Sequence, residues 1–269
     1  MSAKRVQDFG CVIASTGRVG RVNHAAHVAG GRSRDCLHGG DEAGVDAAGV
    51  RGVARLNVLE LDHLVVVAPT LTEGVAHVRS CLDLDVPFGQ RHGYMGSHNH
   101  LLQMGDSVYL EIVALDPDGD RPPRARWFGL DDRRAVKADW DVGRRLRGWV
   151  ARTDFIDAVL AGRERALGRK VSLPWAEPSF EFAVTDDGSM PLDGAAPCII
   201  DRRGKARSMV AIADLGARLL SFSLEHPQPA AVAPLYRELG IDRPPTLVQG
   251  SGIRYRARIA TPFGVQELF

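Results

Sequence analysis

From Leu56 onward, short apolar runs alternate with stretches of helical periodicity. The first run, Leu59-Glu-Leu-Asp-His-Leu-Val-Val-Val67, reads as a strand that ends at Ala68-Pro69. Thr70 is the predicted N-cap of the helix that follows, with Glu73 completing a capping box. Leu71, Val75, Val78 and Leu82 then recur on one face, and Asp85-Val-Pro87 breaks the pattern. Strands follow around 88–92, 99–104 and 108–115, the last two joined at Gly105-Asp-Ser107. The result is a β-α-β-β-β unit.

The unit recurs. Leu146–Arg152 reads as a strand, Thr153-Asp154 as a cap, and Phe155, Val159, Leu160 and Leu167 as one helix face, with strands near 180–184 and 197–201. A third echo starts at Leu219–Leu224 and runs into a helix ending at Leu239, with Gly240 at the C-terminal cap position. Strands near 245–249, 252–260 and 264–268 close it. A unit this small cannot bury its own sheet face, so the copies must pair. Between the first two lies the polar connection Asp116–Pro123, followed by a charged surface helix over Asp131–Arg145.

Residues 1–55 differ in kind. They contain no proline, tryptophan or tyrosine, one leucine (Leu37) and one phenylalanine (Phe9). Too few large apolar groups are present to offset the entropy of ordering them. The expectation is a disordered or misassigned extension through residue 56, then modules one and two over 57–202 and a C-terminal unit over 203–269.

The formal net charge of +1 gives no support for a nucleic-acid partner, and no apolar run reaches membrane-spanning length. Cys11, Cys36, Cys81 and Cys198 form neither a C-x-x-C pair nor a disulfide framework, which points to a reducing cytoplasm.

Two side chains stand out because they interrupt apolar strands: His63, and Glu111 in Tyr109-Leu-Glu-Ile-Val113. A neutral imidazole and a carboxylate are ordinary ligands of Zn, Fe, Mn or Ni, and neither is comfortable in an apolar strand without a partner. His98, Asn99 and His100 sit on the neighbouring strand. If the Gly105 turn holds two residues, His100 lies across from Glu111; if three, Leu101 does and Asn99 shares the ligand face. Trp127, Phe128, Trp149, Trp175 and Phe180 are candidate pocket walls.

Leu61-Asp-His-Leu-Val-Val-Val-Ala-Pro69, Gly96-Ser-His-Asn-His-Leu-Leu102 and Tyr109-Leu-Glu-Ile-Val-Ala114 resemble the vicinal oxygen chelate superfamily, and within it the glyoxalase-like group. The resemblance implies an α+β fold of paired β-α-β-β-β modules forming an incomplete barrel, of the glyoxalase/bleomycin-resistance kind. It implies a divalent metal on His63 and Glu111, with His100 and Glu267 (which echoes Glu111) as further ligands. Glu111 and His98 are then the catalytic candidates, and Asn99 and Trp149 the substrate-binding ones.

The function implied is a divalent-metal-dependent lyase, isomerase or dioxygenase acting on a small oxygenated substrate. The rival is a metal-free protein that sequesters a small molecule. Superfamily members close modules within one chain or between two, so a homodimer is among the implied arrangements. Limited proteolysis should leave a stable fragment beginning near Leu56; full protection of residues 1–55 would overturn the domain reading.

Overall fold

A computed structural model of the chain describes residues 59–174, 179–204 and 209–269. The extension expected over 1–56 and the wall residue Trp175 lie outside them. The first module comprises β1 (Leu59–Val67), α1 (Leu71–Leu82), β2 (Phe88–His92), β3 (Ser97–Gln103) and β4 (Tyr109–Leu115). After α2 (Arg133–Asp141), the second comprises β5 (Leu146–Thr153), α3 (Ile156–Leu160), α4 (Glu164–Leu167), β6 (Arg169–Leu173), β7 (Phe180–Val184) and β8 (Cys198–Asp201). The C-terminal unit comprises β9 (Arg218–His226), α5 (Pro229–Glu238), β10 (Ile241–Asp242), β11 (Thr246–Gln249), β12 (Arg254–Thr261) and β13 (Gly264–Leu268).

The first eight strands form one curled, open half-barrel in the order β2-β3-β4-β1-β5-β8-β7-β6. In each module the first strand runs parallel to the fourth, and the modules meet where β1 runs antiparallel to β5. The sheet is therefore an approximate mirror of strand orders about the β1–β5 seam. This is the expected pairing of modules.

The third echo is not a third copy. Its first strand, β9, sits inside a separate sheet ordered β11-β9-β12-β13, between β11 and β12, whereas the first strands of the modules lie at the seam. Only the short β10 joins the large sheet, pairing with Leu59 and Glu60. Helical signals also differ in module two. The single helix expected from Phe155 to Leu167 is two short ones interrupted at Gly162, which holds φ 74°, and Phe155 is exposed. Strand β6 carries no apolar run and escaped the sequence pattern; it is an edge strand of Arg, Lys and Ser with few buried positions.

The two faces of the half-barrel have separate cores. Leu64, Val66, Leu110, Ile112, Trp149 and Ala151 pack under α1 and the C-terminal unit. Val65, Val67, Val113 and Val150 face the opposite way, with Trp127, Phe128, Phe180, Phe182 and Ile200. Each fully buried Leu or Val contributes about 1.5–3 kcal/mol, which fixes which residues of β1 and β4 look into the concave side.

Helix α1 begins as expected: Thr70 Oγ1 accepts the Glu73 N–H at 3.2 Å and its hydroxyl meets Glu73 Oε2 at 2.7 Å. The helix lies very close to the sheet, because a Cβ on Gly74 would fall 2.6 Å from Ile112 Cγ2 and 2.9 Å from Ala68 Cβ. Helix propensity alone favours alanine there by about 1 kcal/mol, but overpacking costs about 1–3 kcal/mol. Gly74→Ala is expected to lower stability on balance, by about 1 kcal/mol, measured by urea unfolding; a gain in stability would show that α1 can lift off β4 freely.

Candidate functional site

The site starts from an irregularity in β1. Leu61 pairs with Ala151 and His63 with Val150, so Asp62 is the extra residue of a β-bulge. Side-chain parity changes across it: Leu59 and Leu61 pack on the α1 side before the bulge, Leu64 and Val66 after it. Unbroken alternation would put Leu61 on the His63 face, and the bulge sends it to the α1 side, whereas Val65 and Val67 share the His63 face. The bulge also lets two consecutive side chains meet, with His63 Nδ1 2.6 Å from Asp62 Oδ1.

Arg202, just past β8, grips the same carboxylate from the second module. Its Nε donates to Oδ2 at 3.1 Å and its Nη2 to Oδ1 at 2.8 Å, while Nη2 also reaches the Tyr109 hydroxyl at 3.3 Å. Asp62 is thereby fixed as an acceptor, so the His63 proton sits on Nδ1 and Nε2 points into the pocket.

Glu111 meets that nitrogen from β4. Its Oε2 is 3.2 Å from His63 Nε2, without hydrogen-bond alignment, so Nε2 has no hydrogen-bond partner although it is buried. Asn99 Nδ2 donates to Glu111 Oε1 at 2.7 Å, and Asn99 Oδ1 accepts the Gln90 N–H at 2.9 Å. His92 stands 3.2 Å from Ser97 Oγ through Nδ1 and 2.9 Å from Gln90 Nε2 through Nε2. The His63 ring stacks on Tyr109 with centroids 4.4 Å apart.

These polar groups line one side of a void of about 30 Å³, and Tyr94, Trp127, Phe128, Phe180 and Phe182 line the other. Phe128 holds φ 60°, a conformation costing about 1–2 kcal/mol for a residue with a Cβ. Packing against Trp127 and Phe182 retains it there.

The charges are interdependent. Burial on its own raises the pKa of Asp62, but the Arg202 charge and the His63 hydrogen bond outweigh it and hold the carboxyl well below its usual range. Burial likewise depresses His63, and its contacts with Asp62 and Glu111 outweigh that and raise it. For Glu111 burial is again opposed, by His63, the His92 charge and Asn99, and the pKa falls to about 2.

Of the residues singled out in the sequence, His63, Glu111 and Asn99 converge, and the three-residue reading of the Gly105 turn is the one adopted: Leu101 pairs with Glu111. His98 and His100 alternate with Asn99 and lie on the other face. His100 Nδ1 is bound to the Val86 carbonyl at 2.6 Å, and His98 stands 3.9 Å from Asp116. Glu267 belongs to the other sheet, paired with Arg256 at 3.2 Å. Trp149 is fully buried on the opposite face, edge-on to Phe222 and Tyr236. Trp127, Phe128 and Phe180 do form walls. Asp62, Arg202, Tyr109, Gln90 and His92 were not anticipated; only the acidic neighbour of His63 in Leu-Asp-His-Leu could have signalled one of them.

The implied ligand set His63, Glu111, His100 and Glu267 is thus not assembled. Among the described residues no group of three or more His, Cys, Asp or Glu side chains is arranged to hold a metal ion. Catalytic zinc sites bring three protein ligands. Here Asp62 is committed to His63 and Arg202, and the Asn99 carbonyl to Gln90. The donors present do not fit a divalent ion held by the protein alone.

The pKa directions set an acid limit. Because Glu111 is depressed when folded, its contribution to stability is present above its unfolded pKa of about 4.5 and is lost as the pH falls toward 2. Urea unfolding from pH 7 to pH 2 should show stability falling below about pH 4.5, with a shallower fall in Glu111→Gln. Equal slopes would show that Glu111 is not held as a carboxylate in the fold.

The crystal structure of a hypothetical protein from Staphylococcus aureus is similar over 73% of this chain and 88% of its own, at 9% identity and TM-score 0.46. A Streptomyces coelicolor methylmalonyl-CoA epimerase in complex with 2-nitronate-propionyl-CoA is similar over 55% of this chain and 97% of its own, at 13% identity and TM-score 0.34. The corresponding shares for a Mycobacterium tuberculosis methylmalonyl-CoA epimerase are 52% and 85%, at 14% identity and TM-score 0.32. No curated protein matches the chain. A family model described as a glyoxalase-like domain matches residues 61–240, a span that begins in β1 and ends just after α5. The chain belongs to this glyoxalase-like family, within the vicinal oxygen chelate superfamily.

Proposed function

We propose that the chain is an enzyme that moves a proton on a small oxygenated substrate, with His63 as the acid–base group. The observation that carries this reading is the buried Nε2 of His63, ordered by Asp62 at 2.6 Å and without a hydrogen-bond partner of its own. A histidine in this state has one ring nitrogen anchored and the other uncommitted to a hydrogen bond, beside Glu111. Glu111 stabilises the imidazolium that forms when Nε2 takes a proton. Arg202 cancels the charge of Asp62, so the cluster is neutral when His63 is charged. Asn99, Tyr109 and Arg202 supply groups able to orient a substrate carbonyl or its enolate.

Isomerase and lyase outcomes both follow from proton transfer next to a carbonyl. The dioxygenase outcome requires a redox metal, and among the described residues no group of three His, Cys, Asp or Glu side chains is arranged to hold one. The void of about 30 Å³ has room for little more than one water molecule. Trp127 and Phe128, on the connection between the modules, must shift to admit substrate.

A second reading, sequestration of a planar compound without chemistry, is favoured by the six Tyr, Trp and Phe side chains lining the pocket. The discriminating experiment uses the full chain purified without nickel resin. Elemental analysis is combined with NMR detection of α-proton exchange in D2O for a panel of small 2-oxo and 2-hydroxy carbonyl compounds. Exchange reduced at least about 100-fold in both His63→Ala and Glu111→Gln, with no stoichiometric metal, is expected. A stoichiometric metal that disappears in His63→Ala would replace this reading with the metal-dependent one. Binding of planar compounds that survives His63→Ala, with no exchange, would leave the sequestering protein.

A further inference from the structure

An occupant of the His63 pocket larger than one water molecule must take its volume from a wall residue, since the void measures only about 30 Å³. Trp127 is tied down. Its Nε1 donates to Ser97 Oγ at 3.2 Å, and its ring packs on His92 and Phe182 with centroids 5.0 and 5.4 Å away. The Phe128 ring has apolar contacts instead, with Trp127 at 5.5 Å and Phe182 at 5.8 Å. Its backbone holds φ 60°, in the left-handed region that bulky residues rarely adopt, and Gly129 follows at 69°.

The chain is pinned on both sides of this turn. Before it, the Arg126 N–H donates to Asp131 at 2.8 Å and its Nε to the Met95 carbonyl at 2.9 Å. After it, the Gly129 N–H donates to the Gly188 carbonyl at 2.7 Å. A swing of Phe128 out of its left-handed conformation therefore opens the pocket while the flanks stay in place. The slot it vacates has the shape of a phenyl ring, with Trp127 and the edge-on Phe182 as walls. Aromatic walls at these distances and angles favour another ring over an aliphatic group.

The charges select further. Among the described residues on the lining, Arg202 spends Nε and Nη2 on Asp62, and the ring nitrogens of His92 are engaged by Ser97, Gln90 and Asn99. His63, once protonated, faces Glu111 at 3.2 Å. An anionic occupant would set a second negative charge near Glu111 with these cationic groups already engaged, in a site that offers little water. We propose that the substrate carries an uncharged aryl group, which takes the place of the Phe128 ring while the substrate carbonyl lies toward Asn99 and Tyr109. The carbonyl end of this inference rests on the proton-transfer reading above; the aryl end does not.

The test uses the full chain with 2-hydroxyacetophenone, its 4-carboxylate and hydroxyacetone, read by isothermal calorimetry for binding and by NMR in D2O for α-proton exchange. The uncharged aryl compound is expected to bind at least about tenfold tighter than either of the others. Phe128→Ala, which empties the slot, is expected to widen the preference for the aryl compound over hydroxyacetone at least about threefold. If that variant fails to fold by circular dichroism, Phe182→Leu decides, with aryl binding expected to weaken at least about threefold. Equal binding of the aryl compound and hydroxyacetone, equal binding of the 4-carboxylate, or a preference unmoved by the deciding variant overturns the proposal. Aryl preference in binding with no exchange in any compound supports the slot and removes the proton-transfer reading. Exchange without aryl preference does the reverse.

Discussion

The Asp62 bulge is the constraint on which the concave face depends. A regular strand would send Asp62 and His63 to opposite sides, leaving a carboxylate in the α1-side core and the imidazole without an anchor. One extra residue instead brings both into the same network. That network spans the seam, because Arg202 comes from module two and Asp62 from module one. Burying three formal charges is costly, and removing one partner would strand the others. The Asp62–Arg202 pair therefore makes docking of the modules a condition for a tolerable site.

The near-mirror sheet also explains why the site is one-sided. Module one contributes His63, Asn99, Tyr109 and Glu111 from β1, β3 and β4. From β7 and β8, module two contributes Phe180, Phe182 and Ile200, with Arg202 beyond the strand end. The same half-barrel thus holds polar donors on one half and an apolar wall on the other. The guanidinium at the boundary faces the polar half. The strands and helix of the C-terminal unit cover the opposite face, where Tyr236 and Tyr255 donate to the carbonyls of Ala195 and Gly194, while Ile212, ahead of β9, packs on Leu101 and Tyr109 of the concave one.

How much of this was legible in the chain depended on whether a feature follows period. The α1 cap and the strands of module one follow simple periodicity, and the structure has them where the sequence pattern puts them. Leu61 lies off the His63 face because of a bulge, which leaves no mark in apolar spacing. His100 is opposite Glu111 only with a two-residue turn, and the three-residue turn sends both it and the catalytic candidate His98 to the other face; turn length is not encoded in the alternation. Glu267 echoed Glu111 in local sequence but lies in a sheet whose strand order differs. Trp149 sits one residue from Val150, which pairs with His63, and that single step separates pocket from core. Arg202 lay beyond reach because its partner is 140 positions away.

The charge arithmetic bears on the chemistry independently of any of these placements. Asp62 and Arg202 cancel, leaving Glu111 as an anion faced by His63 and His92 in a pocket with an aromatic wall. Low-polarity surroundings demand a positive group beside it. His63 meets that demand when Nε2 takes a proton, and its contacts with Asp62 and Glu111 raise its pKa against the effect of burial. The neutral imidazole, with its proton on Nδ1 toward Asp62, is the state that accepts a proton from a carbon beside a carbonyl. Glu111 then stabilises the imidazolium until that proton is returned, a bias suited to proton transfer beside a carbonyl rather than to protonating a poor leaving group.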